Sequence, residues 1–216
     1  MWVRVPPAAH MNSTRISAPL GHFRVTGKDA AQFLHRMTTN HVLKLHHDEI
    51  NHHALLDRKG KVLSLFTLIK INSETFHCLS NTKAAEAAVK VLRDSKVAED
   101  LQIQPMLESF VNYFIIGANA AEKISELLSL PNPLDEKKLN RFGNGAFAWK
   151  DERFTLPVWV VSLPKFSAAG FAALEEIPET PLDVFTQLRY ERELPWFGEE
   201  ISSECLLLEA KLSHTH

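Results

Sequence analysis

The sequence predicts an α+β fold on two observations. The first is the order of the predicted elements over residues 74–149, which runs strand, helix, strand, strand, helix, strand in one block. That order is typical of a ferredoxin-like unit. The second is a predicted hairpin over residues 54–71, whose long second strand indicates a sheet that is covered on both faces.

The hairpin turns at the corner DRKG, residues 57–60. The Asp57 side chain can accept hydrogen bonds from the turn amides, and glycine adopts the positive φ of such a corner most easily. In the run that follows, both alternating sets of side chains are mainly apolar, so we expect a central strand. Its polar members Ser64 and Thr67 are candidates for contact with a ligand. The alternative is that both are satisfied inside the sheet.

The remaining elements follow from periodicity. The first helix begins after residues 26–29, a capping-box variant, and carries Phe33 and Leu34 on one apolar stripe. Further helices are predicted over residues 82–93, 118–128 and 166–177. Strands are predicted over residues 22–26, 74–79, 101–106, 109–117, 145–149 and 154–163.

The composition is that of an ordinary globular protein. Of its 216 residues 45% are hydrophobic and 23% are charged, and a net charge of −2 gives no sign of steering toward nucleic acid. Cys78 and Cys205 lie far apart and predict neither a disulfide framework nor a zinc site. No apolar run reaches the roughly 20 residues of a membrane span. We expect a soluble, cytoplasmic protein, and we leave residues 1–10 out of the fold as a leader or expression remnant.

Histidines crowd the segment around the start of the hairpin. A metal site would need ligands at a regular spacing, but no pair lies at i, i+4 in a convincing helix and no acid accompanies them in a ligand pattern. We therefore predict no metal here, and expect a solvated loop and strand edge. The residues are His41, His46, His47, His52 and His53.

A last helix is predicted over residues 180–194, with Thr180 as its N-cap and Pro181 in its first turn. Val184, Leu188 and Glu191 lie at i, i+4 and i+7, so the apolar stripe continues into a carboxylate that faces the core. A buried carboxylate needs a partner. Three arrangements would satisfy it: an ion pair with Arg189, Arg192 or another cation; a frayed last turn that exposes the carboxylate; or a flat heterocycle that donates two N–H groups to it.

Three stretches in order carry a family resemblance: FRVTGKDAAQFLHRMTTNHV, ALLDRKGKVLSLF and LRYERELPWFGEEISSECLLLEA. Together they resemble the folate-binding superfamily of the glycine-cleavage aminomethyltransferase, and more closely its YgfZ-type branch, which is linked to iron-sulfur cluster maintenance and tRNA modification. The resemblance implies a GcvT/YgfZ-like folate-binding fold with tetrahydrofolate in a central cavity. It also implies a discontinuous folate-binding domain, residues 11–70 plus 178–216, around an inserted ferredoxin-like domain, residues 71–177.

The resemblance implies a role for Glu191, which matches the pterin-contacting acid of the family's RxExG-like motif. Glu193 stands where that motif usually has glycine, so we expect a different local backbone. The aspartates that aminomethyltransferases carry after the hairpin glycine are matched by Ser64 and Leu65, which argues against group transfer. The family's KGCYxGQE motif and C-terminal β-barrel domain are absent from this sequence, and Cys78 and Cys205 do not align with the motif cysteine.

The resemblance therefore predicts a folate-binding protein of the YgfZ type without transferase activity, and without a metal. Its ligand would be tetrahydrofolate or a derivative, and its partners iron-sulfur assembly or tRNA-modification proteins; we expect no membrane and no direct nucleic-acid contact. One alternative is an aminomethyltransferase-like enzyme that uses Glu193 or Asp57 as its acid. Another is an interaction module that has lost the ligand. The predicted folate-binding residues are Glu191, Arg189, Ser64, Asp57 and Lys59.

Overall fold

The computed structural model describes residues 13–106, 109–143, 145–166 and 172–210, so the predictions for residues 1–10 lie outside it. The chain forms two compact units. The hairpin unit contains residues 19–106 and 195–210, and the α4 unit contains the other described residues. The strands are β1 Thr14–Ala18, β2 Leu20–Thr26, β3 Glu49–Leu56, β4 Val62–Asn72, β5 Thr75–Asn81, β6 Gln102–Pro105, β7 Phe110–Ile116, β8 Asn140–Arg141, β9 Phe147–Lys150 and β10 Val158–Pro164; the helices are α1 Ala30–Met37, α2 Thr82–Ser95, α3 Ala120–Leu127 and α4 Leu182–Glu191.

The hairpin unit is built on a five-stranded antiparallel sheet in the order β3-β4-β5-β2-β6. The predicted hairpin is confirmed, because β3 and β4 pair across the corner and Gly60 has a φ of +80°. Phe66 and Leu68 of β4 enter a core shared with α1 and α2, while Val62 and Leu65 join a second cluster with the segment at residues 197–210. Both faces of β4 are thus covered, as predicted.

Glycine has a steric role at the start of α1. Gly27 has a φ of +132°, and a Cβ there would run into the carbonyl of Asp100. The predicted capping by Thr26 is wrong, because the residue before the helix is Asp29 and its side chain makes no cap hydrogen bond to the helix. Asp29 instead accepts a hydrogen bond from the backbone N–H of Asp100, at 2.7 Å, so the corner is fixed by long-range contacts.

The α4 unit is built on a second five-stranded antiparallel sheet, in the order β1-β7-β10-β9-β8. One face forms a core in which Ile115 and Trp159 pack with Ile124 of α3. On the other face Phe114 of β7 stacks on Phe185 of α4, with ring centroids 3.7 Å apart. Helix α4 therefore packs on the face of the sheet opposite to that core.

The predicted ferredoxin-like domain, residues 71–177, is not one unit. Its boundary falls inside β4, and β5, α2 and β6 complete the sheet of the hairpin unit, while β7 begins the sheet of the α4 unit. The predicted element order is found except for the short strand β8, which was missed, and order alone does not say which strands pair. β6 pairs with β2 and β7 pairs with β1, both across long sequence separations. The predicted helix over 166–177 lies only partly within the described residues.

Candidate functional site

The hairpin corner uses Asp57 for its own geometry. Its Oδ1 accepts hydrogen bonds from the backbone N–H groups of Lys59, at 2.7 Å, and Lys61, at 2.9 Å. The Lys61 N–H is the largest of several influences that lower the pKa of Asp57, because each hydrogen bond stabilises the charged carboxylate. Lys59 itself is exposed. The corner is therefore a stable turn that presents a lysine to solvent.

Ser64 is fully buried in β4. Its hydroxyl donates a hydrogen bond of 2.7 Å to the backbone carbonyl of Ala84, in the first turn of α2. Thr67, also buried, lies 3.1 Å from His52 Nδ1 through its Oγ1. Both polar side chains of this strand are satisfied inside the sheet, which is the alternative that the sequence left open.

Glu191 lies at the last residue of α4, and its predicted burial is wrong. The side chain is exposed, and its Oε1 accepts a hydrogen bond of 3.3 Å from Gln187 Nε2. The buried face of α4 is formed by Phe185, Leu188 and Arg189 instead of Val184, Leu188 and Glu191. The carboxylate is exposed as in the second arrangement, but the last turn is not frayed: the helix turns Arg189 inward and Glu191 outward.

The backbone after Glu191 keeps the form that glycine would favour. Glu193 has a φ of +52°, and its N–H donates to Tyr190 O at 3.1 Å. The N–H of Leu194 donates to Arg189 O at 2.9 Å, so the two bonds form a Schellman motif. The predicted change of backbone is therefore wrong, and a side chain occupies a left-handed position at some cost in conformational energy.

Arg189 braces the same helix end from inside. It is 1% exposed, and its Nη1 donates a hydrogen bond of 2.9 Å to the carbonyl of Leu194. A long side chain of this type can bury its aliphatic stem while its guanidinium bonds to a backbone carbonyl. The start of α4 also differs from the prediction, since Thr180 makes no cap and its hydroxyl contacts that of Thr14.

A buried polar pair on the α4 unit was not foreseen. Asn112 of β7 and Ser162 of β10 lie opposite each other in the strand register, and both are at most 3% exposed. Alternation along β7 puts Asn112 on the same sheet face as Phe114, which is the face that contacts α4. Within the described residues the Ser162 hydroxyl has no hydrogen-bond partner. The sequence contains one indication of this pair, a serine inside the apolar run VWVVSLP. Its partner could not be predicted without knowing that β10 pairs with β7.

The five histidines of the hairpin segment differ in exposure. Among the described residues no group of three or more His, Cys, Asp or Glu side chains is placed to hold a metal ion. His41, His46 and His47 are exposed as predicted, but His53 is completely buried. None of the helices that the structure describes is both long and apolar enough to cross a membrane.

The five predicted folate-binding residues fall into two sets. Asp57, Lys59 and Ser64 belong to the hairpin unit, whereas Arg189 and Glu191 belong to the α4 unit. In the first set the side chains of Ser64 and Asp57 form hydrogen bonds with backbone groups of the fold, and in the second set the Arg189 side chain does the same. Lys59 and Glu191 are the two whose side chains reach solvent.

Comparison with known families identifies this architecture. The family model described as the GCVT N-terminal domain matches residues 17–148, which is more than half of the chain. The chain belongs to the GCVT N-terminal domain family. Its mixed fold with two antiparallel sheets is that of this family.

Relatives of this GCVT-family chain are distant. It is 23% identical to an aminomethyltransferase of Thermoanaerobacter sp. (strain X514), over 88% of this chain and 55% of that protein, and 24% identical to one of Clostridium botulinum (strain Loch Maree), over 51% and 30%. The crystal structure of the glycine cleavage system aminomethyltransferase T from Bartonella henselae superposes with a TM-score of 0.80 at 18% identity, covering 90% of this chain and 55% of that one. The chain thus spans about half the length of the relatives it matches.

Proposed function

We propose that this GCVT-family chain binds a reduced folate, tetrahydrofolate or a derivative, and that Glu191 recognises the edge of the pterin ring. The observation that carries the proposal is the state of Glu191, whose carboxylate is exposed at a helix end fixed by a Schellman motif. Its one described hydrogen bond, from Gln187, is long at 3.3 Å. A ligand can replace that bond at little cost.

The chemistry of the pair is complementary. A pterin edge presents an amino group and a ring N–H side by side, and a carboxylate accepts both with its two oxygens. Each charge-assisted bond contributes about 1.5–3 kcal/mol. We assign Ser64, Asp57 and Arg189 to holding the backbone rather than the ligand, and the assignment of Lys59 as a folate-binding residue follows from the sequence resemblance.

We further propose that the protein binds folate without transferring a one-carbon group. The two positions that match the family's aspartates hold Ser64 and Leu65, which are 0% and 5% exposed. Neither can donate or remove a proton at a folate nitrogen, so acid or base assistance from this strand is lacking. We propose the YgfZ-type role, with its links to iron-sulfur cluster maintenance and tRNA modification, from the sequence resemblance, and a cytoplasmic location from the composition.

The binding test is a titration of the purified protein with 5-formyl-tetrahydrofolate, followed by calorimetry. We expect saturable binding that weakens at least about tenfold in Glu191→Gln, because one charge-assisted acceptor is lost. Glu193→Gln is the matched control, since it removes a neighbouring exposed carboxylate and should leave the affinity within about twofold. A wild-type protein that unfolds cooperatively but binds no folate would contradict the proposal and favour an interaction module.

The second candidate is an aminomethyltransferase-like enzyme, favoured by the names of the relatives. The acid would then have to be Glu193 or Asp57. Incubating the protein with tetrahydrofolate and an aminomethyl donor separates the two functions, and we expect no turnover. Turnover that disappears in Glu193→Gln or Asp57→Asn would establish the enzyme and overturn binding without transfer.

A further inference from the structure

The hairpin unit carries a cavity of about 300 Å³ between α2 and the end of β6, which the proposed folate site does not use. This volume is at the small end of the range for ligand pockets, about 300–1,000 Å³, so a single substituted ring fits better than a whole folate. All the lining residues belong to the hairpin unit.

The apolar part of the cavity is lined by small side chains. Ala85 and Val89 lie one turn apart on α2 and are both buried, and Pro105 at the end of β6 and the buried His22 of β2 also line the cavity. Ala85, Val89 and Pro105 together form an apolar slot. A planar aromatic ring fills such a slot and buries apolar area on both of its faces.

The rim of the cavity carries charges of both signs. Lys90 and Asp94 pair with each other at 2.6 Å, which leaves Glu86 and Arg93 as the charges that a ligand would meet. Arg93 is held in position by two hydrogen bonds, from Nε at 3.2 Å and Nη2 at 2.8 Å, to the carbonyl of Ile103. A guanidinium has five N–H donors, so it keeps the capacity to bind a carboxylate.

The two charges lie at opposite ends of the slot. Glu86 and Arg93 are seven residues apart on α2, which places them on one helix face about 10 Å apart along the axis. We propose that this cavity binds a small aromatic carboxylate with a hydrogen-bond donor at the far end of its ring. The ring lies on Ala85 and Val89, the carboxylate binds Arg93, and the donor points to Glu86.

The probe for the test is 4-aminobenzoate, added to the full ¹⁵N-labelled chain and followed by NMR. We expect saturable shifts in the amides of α2 with a dissociation constant of about 1 mM or tighter. Replacing the carboxylate, as in 4-aminobenzamide, should weaken binding at least about fivefold, because the contact with Arg93 is lost. Benzoate, which lacks the donor, should bind less tightly than 4-aminobenzoate.

Variants locate the binding. Val89→Phe fills the slot and leaves Arg93 in place, and we expect it to abolish the shifts. Arg93→Gln should weaken the binding of 4-aminobenzoate about as much as replacing its carboxylate does. Arg93→Gln also removes the hydrogen bond to the Ile103 carbonyl, whereas Val89→Phe leaves that bond in place and therefore tests the slot separately. The proposal is overturned if wild type shows no saturable shift, if Val89→Phe binds as wild type does, or if Glu191→Gln alone removes binding, which would move the probe to the proposed folate site.

Discussion

Polar side chains in two regions of this molecule are used in opposite ways. In the interior of the β3–β4 hairpin, Ser64 and His53 are fully buried and engaged with neighbouring groups of the fold. At the end of α4, Glu191 and Glu193 are exposed, and the backbone around them is fixed by other residues. In the first region the polar groups stabilise the fold, and in the second they are accessible to a ligand.

The difference teaches where a ligand contact can be sought. A buried hydroxyl that already donates to a backbone carbonyl would have to leave that carbonyl to bind anything else, and the lost bond costs about 1 kcal/mol or more. An exposed carboxylate at a fixed helix end gives up bonds to water and one long hydrogen bond from Gln187, so its contact with a ligand costs the fold less. The comparison therefore favours Glu191 over Ser64 as a recognition residue, although both were predicted on the same resemblance.

The largest expected effect comes from placing a carboxylate in the hairpin interior. Ser64→Asp introduces the residue type that the resemblance implies for aminomethyltransferases, but here it buries a charge against the carbonyl of Ala84, which cannot donate a hydrogen bond to it. We expect the free energy of unfolding to fall by roughly 3–5 kcal/mol, measured by urea titration. No transferase activity should appear.

The matched variant for that experiment is Ser64→Ala, which removes the hydroxyl without adding a charge. We expect a loss of about 1 kcal/mol, since one hydrogen bond is removed. If the aspartate is as well tolerated as the alanine, the strand interior is more open than the structure shows, and the contrast between the two regions fails.

Sequence reasoning succeeded where the cause of the structure is local. The corner at Asp57 and Gly60 was predicted because turn chemistry lies within four residues, and β4 because its own side chains are apolar on both faces. It failed on the pairing of β6 and β7, which depends on partners far along the chain. The Asn112–Ser162 pair was out of reach for the same reason.

The phase of α4 shows a subtler failure. Leu188 belongs to the buried stripe in either reading, so the choice lay between Glu191 and Arg189 as the polar residue beside it. Both residues are charged, so the expectation that charged side chains are exposed does not favour burying one over the other. The hydrogen-bond partner decides between them. Arginine can bury its stem and donate to the Leu194 carbonyl, whereas a glutamate carboxylate is itself an acceptor and cannot bond to a carbonyl.

The next effect is a loss of stability in acid through His53. Thr38 Oγ1 donates to Leu34 O at 2.8 Å, so His53 Nδ1, at 2.8 Å from the same hydroxyl, is the donor to it. The other ring nitrogen, Nε2, is buried and has no hydrogen-bond partner among the described residues, so a proton there would be unsatisfied and the neutral ring is favoured. Burial, with a smaller contribution from His35, lowers the pKa of His53 to about 4. Burial also lowers the pKa of His22, which acts in the same direction.

The sign follows from where the proton binds first. The folded-state pKa of His53 lies below the unfolded value of about 6.5, so on acidification the unfolded chain takes up the proton before the folded one. Stability is complete above pH 6.5 and falls by roughly 3 kcal/mol by pH 4 from this residue. Urea titrations across this range should show a smaller acid loss in His53→Gln and an unchanged one in His47→Gln, whose side chain is exposed. Equal slopes in all three proteins would mean that His53 is not held neutral by the interior.

The smallest effect tests the other side of the comparison, the fixed end of α4. Glu193→Gly places glycine at a φ of +52°, which removes a strain of about 1–2 kcal/mol but frees the unfolded chain by about 0.5–1 kcal/mol. We expect a net gain in the free energy of unfolding of about 0.5–1 kcal/mol. Arg192→Gly, one residue earlier at a φ of −105°, relieves no strain and also removes the hydrogen bond from Arg192 Nε to the Arg153 carbonyl, so it should destabilise by about 1 kcal/mol or more. If both glycines destabilise, the helix does not end in a left-handed residue in solution, and the rigid presentation of Glu191 loses its physical basis.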